Sequence, residues 1–283
     1  MKIKSILLFS VCLAALSISV NAQTSPLLKR TITKTDRFDF GAGGTVSITG
    51  APSGSIRVVG TNNNEIEINL EIELQAASEA DLTKLAAVTG FATQETVGRT
   101  GIISVGTYNK LGDKKLWKKF PKNLFNLPMR IDYTVRVPHY CDLEINGGKG
   151  DLAITGVEGS MRINFLETNA KIEVINGSTT ATIGAGSVDL SLGVRGWRGR
   201  EANIQLAKGD LTVRLPSNMS SEIDAAILRS GAIENKLPDL KPRDRKVPFT
   251  DMAIKAKAGV GGASLKFTVG DGTLKMVPLV LLL

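Results

Sequence analysis

From Tyr140 onward, apolar and polar residues alternate in short runs broken by Gly, Asn or Ser: DLEING, GDLAITG, SMRINF, AKIEVING, TATIG, VDLSLG, ANIQLAKG, DLTVRLP and SEIDAAI. Each run has the two-residue period of a half-buried strand, and none is long enough for a helix. Alternate runs fall into two columns. Ile145, Ile163, Ile183, Ile204 and Ile223 are spaced 18, 20, 21 and 19 residues apart, and Ile154, Val174, Leu192, Val213 and Ile233 are spaced 20, 18, 21 and 20 apart. A repeat of about 20 residues holding two strands is one coil of a solenoid, too thin to bury its apolar side alone and stable only when stacked. The predicted fold is therefore all-β, a single-domain parallel β-solenoid with one short helix in an N-terminal insertion. Short, evenly spaced strands also suit a β-sandwich or barrel, which is the alternative architecture.

Ahead of this array, strands are predicted at Thr45 to Gly50, Ser55 to Gly60 and Glu65 to Leu74, the last alternating Ile or Leu with Glu as a strand with one wet face does. Ser78 to Thr89 reads as a helix. Ser78 is the N-cap, Glu79 and Asp81 are acidic in the first turn, Leu82, Leu85 and Ala86 share a face, and Gly90 is the stop. Its expected place is one end of the strand stack, where an open sheet edge needs cover. Further strands are predicted at Ile102 to Tyr108, Ile131 to Val137, Met252 to Lys257 and Ser264 to Val269, with a loop at Lys236 to Arg245 around Pro238 and Pro242. The apolar tail Val277 to Leu283 is too short to span a bilayer and is expected as a docked strand or a peripheral contact.

Composition agrees with this pattern. The 283 residues are 42% hydrophobic and 22% charged, a globular balance that excludes disorder. Only 5% are aromatic and 29 are Gly, as expected of coils filled by Ile, Val and Leu ladders with Gly at the corners. A single His, His139, cannot build a His-based zinc centre.

Lys2 and Lys4, the apolar stretch Ser5 to Val20 and the small residues of Val20-Asn21-Ala22 read as a secretory signal cut near Gln23. The expected organisation is a signal peptide at 1–22 and one domain at 23–283, with the helix and a basic insertion at about 76–130 and the most regular repeats at about 140–235. Cys12 follows Val11 rather than a small residue, which argues against a lipoprotein anchor. Cleavage leaves Cys141 alone, expected as a buried thiol. The expected location is exported: periplasmic, cell-surface or secreted, without a retained transmembrane helix and without a nucleic-acid partner.

TVSITGAPSGSIRVVG, a helix-bearing insertion, YTVRVPHYCDLEINGGKGDLAITGVEGSMRI and AKGDLTVRLP together resemble the bacterial putative-adhesin domain of unknown function. Its repeats carry G-x-G-D-hydrophobic units after a V-P-x-x-x-D-L-x-I segment. The resemblance extends over nearly the whole mature chain, including a terminal GDGTLKM that looks like a closing coil. GGKGDL and AKGDL are close to the pattern, GAGSVDL is looser, and the coil at Asn169 to Val174 lacks the Asp. The resemblance implies a β-solenoid exported to the envelope or surface.

Candidate chemistry within the repeats is sparse. Asp142, Asp151, Asp189 and Asp210 each precede a core Leu, and the last three are expected near one edge of the stack. Tandem GGxGxD calcium loops are missing, and Asp favours the turn before a strand in any case. Stacked carboxylates also serve β-helix lyases and glycosidases, so a carbohydrate-active enzyme is the alternative to a non-enzymatic binding or structural module. No pair is singled out for catalysis, and no metal ion or cofactor is expected. GAGG at Gly41 to Gly44 lacks the strand-to-helix setting that phosphate binding needs, and His139 is expected in a structural role.

Two basic, aromatic segments are the candidate binding sites. Lys110 to Arg130 carries Lys110, Lys114, Lys115, Lys118, Lys119, Lys122 and Arg130 against Asp113 alone, interleaved with Trp117, Phe120, Leu124 and Phe125. Such a loop suits an anionic envelope polymer, a lipid headgroup or glycan, or an envelope protein. Trp117 and Phe120 can equally pin a long insertion to the body while the lysines stay wet. The second segment, VRGWRGR at Val194 to Arg200, places Trp197 between Arg195 and Arg198, where the ring can stack on a sugar or be covered by the arginines. The residues assigned to binding are therefore Lys114, Lys115, Trp117, Lys118, Lys119, Arg195, Trp197 and Arg198.

Overall fold

The structure is a computed structural model that describes residues 26–41, 43–193, 201–238 and 240–280. In chain order, β1 (Leu28–Asp39), β2 (Thr45–Thr49), β3 (Ile56–Thr61) and β4 (Glu65–Ala76) precede α1 (Glu79–Val88). The hairpin of β5 (Gly90–Thr96) and β6 (Arg99–Val105) leads into the insertion that holds α2 (Lys114–Lys119). Next come β7 (Met129–Pro138), β8 (Asp142–Lys149) and β9 (Leu152–Thr155), then the long strands β10 (Met161–Val174), β11 (Thr179–Leu192), β12 (Glu201–Leu215) and β13 (Ser221–Asn235). The short β14 (Lys241–Pro242), β15 (Ala253–Ala258) and the long β16 (Ala263–Pro278) complete one 16-stranded, all-β sheet.

The long strands explain the repeat. In β10, Met161, Ile163 and Phe165 are buried, Leu166 and Glu167 are both exposed, and Thr168, Ala170, Ile172 and Val174 are buried again. Two outward residues in succession mark a bend. The SMRINF and AKIEV runs are thus two halves of one strand rather than two strands. The first half of β10 pairs in parallel with β8 and the second half with β9, so the sheet turns a corner between them.

Parallel register stacks like on like. Ile102, Ile48, Ile145, Ile163, Ala181, Ile204, Phe267 and Ala225 are successive cross-strand partners on one limb. Val135, Val58, Ile154, Ile172, Leu190, Val213 and Met276 do the same on the other. Both ladders belong to one hydrophobic core. Such ladders are favourable because β-branched and aliphatic side chains pack on identical neighbours across the pleat. The columns expected from spacing are corrected by two residues in places: Ile163 faces Ala181 and Phe165 faces Ile183.

A larger correction concerns order. Ile204 does not neighbour Ile223, because β16 lies between β12 and β13, with Ile204 on Phe267 and Ile223 on Leu265. The chain leaves β13, adds β15 antiparallel to its outer edge, and returns to fill the gap. At the opposite end β7, β4 and β1 are joined antiparallel, and α1 packs on β4 and β1. β1 is a strand that the sequence reading missed. Only one edge is paired, and its LKRTITKTDRFD sequence is largely exposed, with Lys29, Arg30, Lys34 and Arg37 supplying the charge that discourages edge-to-edge pairing.

α1 follows its sequence closely. Ser78 is extended and its side chain accepts from the Asp81 N–H at 3.2 Å, while Leu82, Leu85 and Val88 are buried. The stop differs: Thr89 is the C-cap, its hydroxyl donating to the Leu85 carbonyl at 2.8 Å, and Gly90 already belongs to β5. α2 is a second helix, not expected from the sequence. Among the described residues no helix is long and apolar enough to cross a membrane.

Candidate functional site

The basic insertion leaves the sheet at the end of β6. Asn109 fastens the exit turn, accepting from the Gly106 N–H at 3.2 Å and donating to the Ser104 carbonyl at 2.7 Å. Asp113, the lone acid of the segment, caps α2 by accepting from the Lys115 N–H at 2.8 Å. Without that cap a six-residue helix with four lysines has little local support, since charge repulsion and short length both oppose it.

Behind α2 the aromatic residues pack on one another. The Trp117 and Phe120 ring centroids lie 5.4 Å apart edge to face, as do those of Phe120 and Phe125, and Trp117 is 6.1 Å from Phe125. Such pairs add about 0.5–1.5 kcal/mol each beyond the area they bury. Lys110 Nζ sits 4.5 Å from the Phe125 centroid, a cation–π contact. A 3₁₀ turn at Lys122–Leu124 then drives Leu124 into the core, 1% exposed. The aromatic side chains thus fold the insertion on itself, while Leu124 in the core and Phe120 packed against it hold the insertion to the body.

Lys114, Lys115, Lys118 and Lys119 are brought together on α2 and are all exposed. None of them forms a salt bridge with another described residue. Trp117 is half-buried, and its Nε1 donates to the Leu111 carbonyl at 2.9 Å. Two residues that the sequence reading did not single out lie beside them: Leu111 is 42% exposed and Leu116 is 46% exposed. Their only sequence signal was an apolar residue inside a lysine run. Arg195, Trp197 and Arg198 lie outside the described residues.

The repeat aspartates are occupied with structural bonds. Asp142 accepts from the Ser160 N–H at 2.7 Å, Asp151 from Asn169 Nδ2 at 3.3 Å and Asp210 from the Thr273 N–H at 3.1 Å. Ser187 donates to Asn169 Oδ1 at 2.9 Å, so Asp151, Asn169, Ser187 and Asp210 share a polar column beside the bend. Asp189 does not join it. It faces Lys171 and Thr212 in register and pairs with Arg214 at 2.8 and 2.9 Å, which corrects the expectation of three aspartates at one edge. Among the described residues no group of three or more His, Cys, Asp or Glu side chains is placed to hold a metal ion.

His139 donates from Nδ1 to the Gly156 carbonyl at 2.5 Å, a bond that ties two bends of the chain together. Cys141 is buried at 2% exposure, and burial, with the Asp142 charge adding, pushes its thiol up to about 12. A thiol so held is inert as a nucleophile. An apolar cleft of about 320 Å³ opens at the far end among Leu215, Met219, Ile223, Leu237, Leu240 and Pro278. A smaller cavity of about 230 Å³ lies at the root of the insertion, lined by Val88, Phe91, Val105, Leu111, Leu116 and Trp117 among others.

No protein-family profile and no curated protein sequence matches the chain. Solved structures with a similar course include a putative cell adhesion protein from Clostridium sporogenes, at 14% identity over 88% of this chain and 100% of that one, with a TM-score of 0.49. A putative adhesin from Bacteroides fragilis is 10% identical over 87% of this chain and 97% of its own, with a TM-score of 0.29. A putative lipid binding protein from Parabacteroides distasonis is 12% identical over 87% and 96%, with a TM-score of 0.24.

Proposed function

We propose that the chain is an exported, non-enzymatic β-solenoid that serves as a binding and structural module of the cell envelope, periplasmic, surface-bound or secreted. Its domain is residues 23–283, released from a signal peptide at 1–22. Support for the solenoid comes from the in-register parallel pairing of β8, β10, β11, β12, β16 and β13. Support for a non-enzymatic role comes from the aspartates, each engaged by a backbone N–H, the Asn169 amide or an arginine.

The observation that carries the binding role is the set of four exposed lysines, Lys114, Lys115, Lys118 and Lys119, without a salt-bridge partner among the described residues, on a helix that Asp113 caps and Trp117 anchors. Long cationic side chains with Asp113 as the one acid of their segment attract an anionic polymer or headgroup over distances of about a Debye length, ~8 Å at physiological salt. Arg195, Trp197 and Arg198 are proposed as a second contact. The test compares the intact protein with the Lys114→Glu, Lys115→Glu, Lys118→Glu, Lys119→Glu variant in sedimentation with envelope fractions and in binding to polyphosphate. Loss of both is expected, and unchanged binding overturns the role of the insertion.

A further inference from the structure

The lysines attract any polyanion, but the leucines beside them do not. We propose that α2 docks on an anionic phospholipid bilayer, its lysines on the lipid phosphates and Leu111 and Leu116 inserted at the headgroup–acyl boundary. This rests on the binding role given to the insertion above and names the source of the negative charge.

Three observations carry it. At about 100° per residue, Lys114, Lys115, Lys118 and Lys119 span an arc of about 140°, and Leu116 lies about 60° beyond its Lys119 edge, at the border between the lysine face and the face that carries Trp117. Leu111 and Leu116 are 42% and 46% exposed although the neighbouring Trp117, Phe120 and Phe125 are packed together, so the insertion leaves two aliphatic side chains in water where its own aromatic cluster offers cover. Their apolar surface continues into the cavity of about 230 Å³ that Val88, Phe91 and Val105 line. A hydrated sugar or phosphate polymer gains nothing from this surface. A bilayer interface does, because lysine stems reach the phosphates while aliphatic tips enter the acyl boundary. The Trp117 Nε1 bond to the Leu111 carbonyl fixes both leucines relative to the lysines before contact, which lowers the ordering cost of docking.

The test uses the full chain and measures co-sedimentation with phosphatidylcholine vesicles and with vesicles containing phosphatidylglycerol, and binding to soluble polyphosphate. Binding to the anionic vesicles, and little binding to the neutral ones, is expected. Leu111→Ser with Leu116→Ser is expected to weaken vesicle binding about tenfold or more while leaving polyphosphate binding unchanged. Both substitutions are at exposed positions, and a thermal melt equal to that of the parent shows that the fold is kept; Leu116→Ser alone serves if the pair perturbs it. Vesicle binding that the serine variants leave intact overturns the bilayer proposal and leaves the cationic role standing. Polyphosphate binding without vesicle binding does the same. Failure to bind either anion, or binding that survives the four Lys→Glu changes, overturns both.

Discussion

Gly209 stands directly on Gly186, so close that a Cβ on Gly209 would lie 1.8 Å from the Gly186 carbonyl oxygen. The same approach recurs where Gly272 meets Gly209 and Gly231 meets Gly272, each at 1.8 Å. Each of these glycines has a positive φ, between 124° and 139°, and each sits at the bend of its strand. Each of these bend glycines is therefore required twice, by backbone conformation and by the spacing of stacked bends.

Gly209→Ala is expected to cost more than about 2 kcal/mol, since strain in that φ region alone is about 1–3 kcal/mol and the backbone clash adds to it. Gly41→Ala, where nothing lies within 4 Å, is the control and is expected to change stability by less than about 0.5 kcal/mol. Urea unfolding midpoints of the two variants check this, and equal midpoints refute it.

The insertion of β16 between β12 and β13 predicts a cross-linking pattern. Gln205 and Thr268 are register partners, as are Thr268 and Ala226, so Gln205 and Ala226 are two strands apart, about 9.6 Å. In a Cys12→Ser, Cys141→Ala background, Gln205→Cys with Thr268→Cys is expected to oxidise to an intramolecular disulfide. Gln205→Cys with Ala226→Cys is not, because a bridge needs Cα atoms within about 7 Å. Mapping of the oxidised peptides by mass spectrometry decides it, and the reverse result removes β16 from the gap.

Alkaline pH is expected to weaken the fold through Cys141. Burial raises the folded thiol from 9.0 to about 12, so the unfolded chain loses this proton first. The contribution is whole below pH about 9 and declines as the pH rises toward about 12. Cys141→Ala is expected to flatten this decline between pH 8 and 10.5, leaving the part due to Tyr108 and Tyr133, whose phenols burial likewise pushes up. Identical pH slopes for the two proteins in urea titrations contradict the assignment.

Ser78→Ala is expected to destabilise the protein by about 1 kcal/mol through loss of the α1 cap, and Ser78→Thr to retain most of it. Hydrogen exchange localised to Glu79–Val88 distinguishes fraying of α1 from a global effect. Faster exchange spread over β10–β12 would show that the helix is not a local unit.

Much of this molecule is legible in its sequence, for local reasons. Alternation of Ile, Val and Leu with polar residues determines strands with one buried face, glycines such as Gly186 and Gly209 mark corners where they bend, and Ser78 with Glu79, Asp81, Leu82 and Leu85 sets α1. The cluster at Lys114 to Lys119 is visible as charge, because six consecutive residues stay together whatever the fold. What required the tertiary structure is which segment neighbours which. Leu265, Phe267 and Val269 of β16 present the same inward pattern as Ile223, Ala225 and Ile227 of β13, so periodicity cannot say which of them lies on Ile204. Chain connectivity does not decide it either, since closing a longer loop costs only about 0.6 kcal/mol per doubling of its length. Packing and cross-strand hydrogen bonding, summed along the whole strand, choose the partner. The same holds at the insertion, where only three-dimensional packing buries Leu124 and leaves Leu111 and Leu116 facing water beside the lysines.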